Sequence, residues 1–338
     1  MSEPLEEFAA RNDELALLRE GNRRLQRQLR QSQAKTADLV DAVYLAARDA
    51  ALAIGPAPAV PTHIKDKRKA GVEVALVHAT DWQRGKLTES FSMEVCDQRI
   101  LQFADKIQKI TNIQRADHPV DECHIMFGGD MVEGITVFPG QAFEVQAHLF
   151  DQLFGVVSLQ EQFVRRMLGI FPRVVVWEEY GNHGRLGRRG DVPGSDNVDR
   201  IGYRITKDRF RDEPRVTWHS STSWHQIVTI GNYVAMLAHG DEIKSFGGNT
   251  PAFGMLRKAT AWSSGVVEPF QDVYLGHFHT PMSLTMPNGG RIFVTGSPES
   301  DNQYAAEFVA AKGRPSQRLH YVDPAKGRVT SEHLCWLD

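Results

Sequence analysis

Five short apolar runs, each stopped by glycine and polar residues, recur between residues 72 and 279 and constrain the fold more than any other feature. "VEVALVHA" (72–79) leads into "TDWQRGK", "CHIMF" (123–127) into "GGDMVEG", and "RVVVWEEY" (173–180) into "GNHGRLG". Further along, "YVAMLA" (233–238) leads into "HGDE" and "QDVYL" (271–275) into "GHFHT". Runs of this length and β-branched content read as strands. Helix-length stretches at 93–114 and 144–168 separate the first three, so strand and helix alternate. The fold class is α/β with central sheets.

Composition narrows the function classes without choosing one. Lys plus Arg number 39 against 42 for Asp plus Glu, a formal charge of −3 that gives no overall bias toward nucleic acid or anionic membrane. Three scattered cysteines, Cys96, Cys123 and Cys335, argue against a disulfide framework, and with no C-x-x-C a thiolate zinc site is not expected. The acidic start "MSEPLEEFAA" lacks the apolar segment of a signal peptide. No apolar stretch approaches the roughly 20 residues that cross a bilayer. The expectation is a cytoplasmic protein with no membrane partner.

Three segments are expected: a helical stretch over 1–54, a linker over 55–70 and a catalytic domain over 71–338. Residues 5–54 hold one glycine, Gly21, and no proline. A heptad with Leu15, Asn22, Leu29, Thr36, Val43 and Ala50 at a places Leu18, Leu25, Ser32, Leu39 and Ala46 at d. That seam predicts a long helix that either forms a coiled coil and makes a homo-oligomer or packs on its own domain. "GPAPAVPTHIKDKRKAG" (55–71) has linker composition.

In open α/β sheets, functional groups collect beyond the carboxyl ends of strands. Asp81, Asp130, Asn182, His183, His239, His277 and His279 stand there. One Asp after a strand is ordinary turn chemistry. Five strands all ending in metal ligands or acid–base groups are not.

In order and placement these residues resemble the calcineurin-like metallophosphoesterase superfamily, whose motifs run D-x-H, G-D, G-N-H-[D/E], H and G-H-x-H. Here they read Asp81-Trp82-Gln83, Gly129-Asp130, Gly181-Asn182-His183-Gly184, His239 and Gly276-His277-Phe278-His279. The resemblance covers about residues 72–300. It implies a four-layer αββα sandwich with two divalent metal ions at the sheet edge, manganese first and iron, zinc or nickel as alternatives. Asp81, Gln83 and His279 would serve the first ion, Asn182, His239 and His277 the second, and Asp130 both. Ions roughly 3.5 to 4 Å apart would clamp a phosphate ester and supply a bridging hydroxide as nucleophile. His183 would protonate the leaving group or, alternatively, only orient its neighbours. If extended geometry continued through "GHFHT", His277 and His279 would point to the same side.

Two positions depart from the family pattern. Gln83 stands where His is usual, and an amide oxygen either coordinates more weakly or leaves its place to water. Gly184 stands where an acidic residue often orients the histidine, so His183 needs another partner. The "DWQRGK" variant looks like the phage and bacterial branch related to the Mre11/SbcD nucleases. A phosphodiesterase or nuclease acting on nucleic acid is therefore expected, with a small-molecule phosphodiesterase or phosphatase, or a metal-binding scaffold of low activity, as alternatives. Arg185, Arg188 and Arg189 would bind substrate phosphate or face solvent. The segment Lys244–Phe270, with Phe246, Phe253, Arg257, Lys258 and Trp262, would either stack bases or form a packed insertion.

Overall fold

A computed structural model describes residues 71–135, 137, 140–143, 145–187, 189–244, 251–299 and 314–338, together with 20, 23–24, 26–28, 30, 38, 41–50 and 52–53. The chain divides into two compact units, Met1–Ala53 and Ile54–Asp338. In the first, residues 41–50 are helical. Most of the expected coiled-coil seam, and the linker over 55–70, lie outside the described residues.

The larger unit holds two sheets. The first is built from β1 (Val74–Ala79), β2 (Glu122–Phe127), β3 (Arg173–Glu178), β4 (Val216–His219), β10 (Ser316–Asp323) and β11 (Arg328–Trp336), in the order β11-β10-β1-β2-β3-β4. The second contains β5 (His225–Ile230), β6 (Tyr233–Ala238), β7 (Asp272–Leu275), β8 (Met282–Thr285) and β9 (Arg291–Val294), in the order β5-β6-β7-β9-β8. Strands β1 to β4 pair in parallel, as do β6, β7 and β9. The expected closing hairpin is β10 against β11, antiparallel.

Alternation along β1 and β2 explains the layers, because successive side chains point to opposite faces. Val74, Leu76 and Met126 pack with Tyr233, Ala235, Leu237, Tyr274 and Phe293 of the second sheet, so the two sheets lie face to face. On the opposite face of the first sheet, Phe127 meets Trp82 and Tyr203 edge-on or stacked, and Trp82 meets Phe163. Phe163 lies on α2 (Leu149–Ile170), which stacks on Phe103 of α1 (Met93–Gln114), and Tyr203 on α3 (Val198–Arg209). Outside the second sheet, Met255 and Ala259 of α4 (Ala252–Ala261) and Trp262 beyond it pack on Met236, Val273, Leu275 and Ile292. Helices thus flank a pair of packed sheets on both sides.

Some of the inter-sheet layer is polar, and its groups meet one another there, although His78 Nε2 and His320 Nε2 find no hydrogen-bond partner among the described residues. His78 Nδ1 lies 2.7 Å from Thr295 Oγ1, Tyr274 Oη 2.8 Å from His320 Nδ1, and Trp177 Nε1 donates to His124 Nδ1 at 3.0 Å. Burial pulls His78 down to about 3, so this imidazole is a neutral structural group. All three cysteines are buried and unpaired. Among the described residues no helix is long and apolar enough to cross a membrane.

Candidate metal centre

Parallel strands all present their carboxyl ends at one edge, and the loops leaving β1, β2, β3, β6 and β7 interlock there. Asp81 donates its backbone N–H to Gly129 O at 3.0 Å, Gln83 to Asp130 O at 2.9 Å, and Gly276 to His239 O at 2.9 Å. Behind them the buried Asp199, on the first turn of α3, accepts from the backbone N–H of Asp130 (2.8 Å), Met131 (3.1 Å) and Gly181 (3.0 Å). Asn197 caps that helix and donates to Gly181 O at 2.8 Å. Glycine beside Asp130 and Asp81 is a steric requirement here. A Cβ on Gly181 would stand 2.0 Å from Asp130 Oδ1, and one on Gly276 2.4 Å from Asp81 Oδ2.

Five non-glycine residues have positive φ among the described residues: Asp81 (54°), Gln83 (43°), Asp130 (52°), His277 (65°) and His279 (55°). Left-handed backbone at such residues costs on the order of 1–3 kcal/mol each and persists where surrounding structure enforces it. All five belong to the expected ligand set. The strain coincides with the chemistry.

The extended path expected through "GHFHT" is not what forms. β7 ends at Leu275, and two tight turns follow, Phe278 N–H to Gly276 O at 2.7 Å and Thr280 N–H to Phe278 O at 2.6 Å. His277 and His279 sit at their centres, so repeated tight turns, not strand pleating, aim the two rings. His277 N–H also donates to the Asp81 carboxylate, at 2.9 and 3.0 Å.

At one end of the cluster, single ligand atoms of Asp130, His239 and His277 lie within 4.8 Å of one another. Gly128 O, 2.8 Å from His239 Nδ1, takes the proton there and directs the Nε2 lone pair inward. That nitrogen is 3.0 Å from Asp130 Oδ2 and 3.2 Å from Asn182 Oδ1. Three electron-rich atoms converge, and a cation or an added proton must sit among them. Burial opposes charging of His239, yet the Asp130 carboxylate drives it well above the ordinary imidazole range. Burial and the charge of His239 pull His277 down to about 4. Donor types and convergence fit a divalent ion.

At the other end, His279 Nε2 lies 3.4 Å from Asp81 Oδ1. Gln83 is buried, its Oε1 has no hydrogen-bond partner, and its Nε2 is 3.3 Å from His183 Nε2. An unpartnered buried carbonyl oxygen is what a ligand or outer-sphere acceptor looks like before its cation is present.

His183 lies between the two ends. Its backbone N–H donates to Asp130 Oδ1 at 2.7 Å, and its Nε2 is 3.9 Å from Asp130 Oδ2. Nδ1 lies 2.8 Å from Glu133 O and 3.3 Å from Glu133 Oε2, while Gln141 Nε2, at 3.4 Å, also donates to Glu133 O. Burial opposes charging of His183, but Asp130 and Glu133 override it and push the imidazole up to about 9. The acid absent at Gly184 is therefore supplied by Glu133. A Cβ at 184 would stand 2.1 Å from Asn197 Oδ1, so the α3 cap excludes any larger residue.

Of the arginines, Arg185 forms an ion pair with Asp241, two residues beyond His239. Arg189 is exposed and bridges through its backbone to Val192, and Arg188 lies outside the described residues. In the insertion Trp262 is core and packs 5.2 Å from Trp224, whereas Phe253 is 68% exposed. Phe246 lies outside the described residues. Sequence reasoning missed Glu133, Asp199 and Glu299. Asn197 followed by a helical pattern was a legible cap signal for α3.

No family model matches the sequence, and no curated protein matches it. Among solved structures, the chain is similar to a conserved Streptococcus pneumoniae protein described as a predicted phosphoesterase, at 10% identity over 78% of this chain and 99% of that one, with a TM-score of 0.35. Zinc-complexed Vps29 of Entamoeba histolytica matches at 10% identity over 78% and 99%, with a TM-score of 0.32. The 5'-nucleotidase of Candida albicans matches at 10% identity over 83% of this chain and 54% of that one, with a TM-score of 0.38. Likeness at these levels carries no activity across, and the functional reading rests on the side chains.

Proposed function

We propose that the chain is a metal-dependent phosphoesterase of the metallophosphoesterase type, binding two divalent ions and hydrolysing phosphodiesters, with nucleic acid as the substrate class. The observation that carries it is the convergence of His239 Nε2, Asp130 Oδ2 and Asn182 Oδ1, with the only proton available from the neutral ring already committed to Gly128 O. Asp130, Asn182, His239 and His277 would hold one ion, and Asp81, His279 and Asp130, with Gln83 beside them, the other. When bound, such ions supply Lewis acidity toward a phosphoryl oxygen and activate water.

The chain's own residues supply the rest. Glu133 O holds the Nδ1 proton of His183, so Nε2 is the atom that faces the cluster and delivers a proton to the departing oxygen. Arg185, paired with Asp241, would meet a phosphate oxygen on releasing that carboxylate. Support for a polymeric substrate comes from α4, which exposes Phe253, Arg257 and Lys258 on the insertion between His239 and His277.

One panel tests this reading. Purified protein with manganese is offered bis-p-nitrophenyl phosphate, p-nitrophenyl phosphate, 2',3'-cyclic AMP, and single- and double-stranded DNA. DNA cleavage that falls roughly 100-fold or more in His183→Ala is the expected result. Turnover confined to small esters would redirect the substrate class, and no metal-dependent turnover at all would overturn the enzymatic reading.

A further inference from the structure

Beyond β9 the chain runs through Thr295, Gly296, Ser297, Pro298 and Glu299, and this short segment is fastened on three sides. Thr295 N–H donates to Leu275 O at 2.8 Å, Ser297 Oγ donates to Asp81 O at 2.7 Å, and Arg99 of α1 donates to Pro298 O at 2.7 Å. Glu299 N–H donates to Ser297 Oγ at 2.9 Å. A carboxylate placed this firmly in the interior needs a counter-charge or donors, because an uncompensated buried charge is costly. Glu299 has both. Lys86 Nζ lies 2.7 Å from Oε1, and His279 Nδ1 lies 3.1 Å from Oε2.

From this geometry we infer that Glu299, clamped by Lys86, is the residue that positions His279 for metal binding at the Asp81 end of the cluster. The inference rests on the metal-centre reading above and extends it to side chains that do not themselves ligate. A carboxylate accepting from Nδ1 fixes the ring proton there, turns the ring, and leaves Nε2 free beside Asp81 Oδ1. Lys86 has a separate task. It holds Oε1 away from the cluster, so Glu299 acts through the imidazole instead of ligating directly. Lys86 also follows Asp81 and Gln83 in the same loop, so one ion pair ties that loop to the turn carrying His279. His239 differs, since a neutral carbonyl, Gly128 O, holds its Nδ1. A charged holder makes the imidazole a stronger donor, and it stands at the end where Gln83 replaces histidine.

The test is manganese titration of the full-length, metal-stripped protein by calorimetry, with thermal melts of each variant. Wild type is expected to take up two ions with different affinities. Glu299→Ala should lose roughly 10- to 100-fold affinity at one ion and leave the other within about twofold. Glu299→Gln keeps an acceptor oxygen and should lose much less, a rescue that simple loss of packing would not give. Lys86→Met should weaken the same single ion by several-fold, on the order of the smaller outer-shell effects. It decides the matter if Glu299→Ala fails to fold. Two ions bound with unchanged affinities in Glu299→Ala, or in Lys86→Met where that variant decides, overturn the inference and leave the phosphoesterase reading intact. Wild type that binds no divalent ion overturns both.

Discussion

At the Asp130 end of the cluster, two imidazoles and a carboxylate stand close enough to close on one ion. At the Asp81 end, the His279 imidazole faces the Asp81 carboxylate, and the Gln83 amide approaches His183 instead. Both ends are built on strand termini and both use left-handed backbone. They differ in how their side chains are held. Asn182, His239 and His277 come from three strands in two sheets, each followed by a loop pinned to another, so the trio is set by the architecture. Asp81 and Gln83 share one loop, and His279 leans on the Glu299–Lys86 pair. The difference teaches that one sheet edge can hold one group of side chains by its architecture and another by side chains reaching in from outside it.

The largest effect should come from removing what the two ends share. Asp130→Ala deletes the carboxylate that faces His239 and that receives the His183 backbone N–H. Several kcal/mol of lost charge stabilisation correspond to a fall in turnover of about 10³-fold or more. Metal content measured by atomic emission should drop at the same time. A variant that keeps both activity and metal would leave the two ends with nothing in common.

Next in size is the contrast between the paired histidines. His277→Ala opens the assembled trio, whereas His279→Ala removes one donor from an end that is already sparse. The first should cost roughly tenfold more manganese affinity than the second, within the range seen for perturbed metal sites. Equal losses, or the reverse order, would break the comparison.

Much of this was legible in the sequence, and the reasons are physical. β1, β2, β3, β6 and β7 announced themselves because they are apolar and flanked by turn residues, and α1 has the bounds its composition predicted. The clustering of Asp130, His239 and His277 was legible because chain order and strand ends suffice to bring them together. What was not legible depends on loop conformation. Nothing local marks His277 and His279 as left-handed, and the two-residue spacing that suggested pleating is produced by tight turns instead. Glu133 and Glu299 are ordinary acids by sequence, and they become orienting groups only because their loops fold back on His183 and His279. The short strands β4 and β8 are only half-buried, so their apolar signal is weak.

Gly184 turns one of those misses into a measurement. Introducing an acid there, Gly184→Asp, would drive a Cβ against the Asn197 cap of α3. Overpacking of this kind costs about 1–3 kcal/mol, to be read from urea denaturation. Unchanged stability would mean that the α3 cap does not exclude side chains at 184, and would reopen that position as a source for the His183 partner that Glu133 supplies here.

The smallest effect bears most directly on the asymmetry. Gln83 is already buried, already left-handed, and carries an unpartnered Oε1, so Gln83→His asks little of the backbone. An imidazole would replace a weak oxygen donor and would lose the 3.3 Å approach of the amide nitrogen to His183 Nε2. The expected gain is up to roughly tenfold in affinity for the weaker ion, about 1.4 kcal/mol, with preference shifted from manganese toward zinc because imidazole suits the latter. Turnover need not rise in step, since the new imidazole changes the surroundings of His183 Nε2. Calorimetric curves for the two ions that draw together in Gln83→His would trace the inequality of the ends to this side chain. Curves that stay as far apart as in wild type would trace it to the loops.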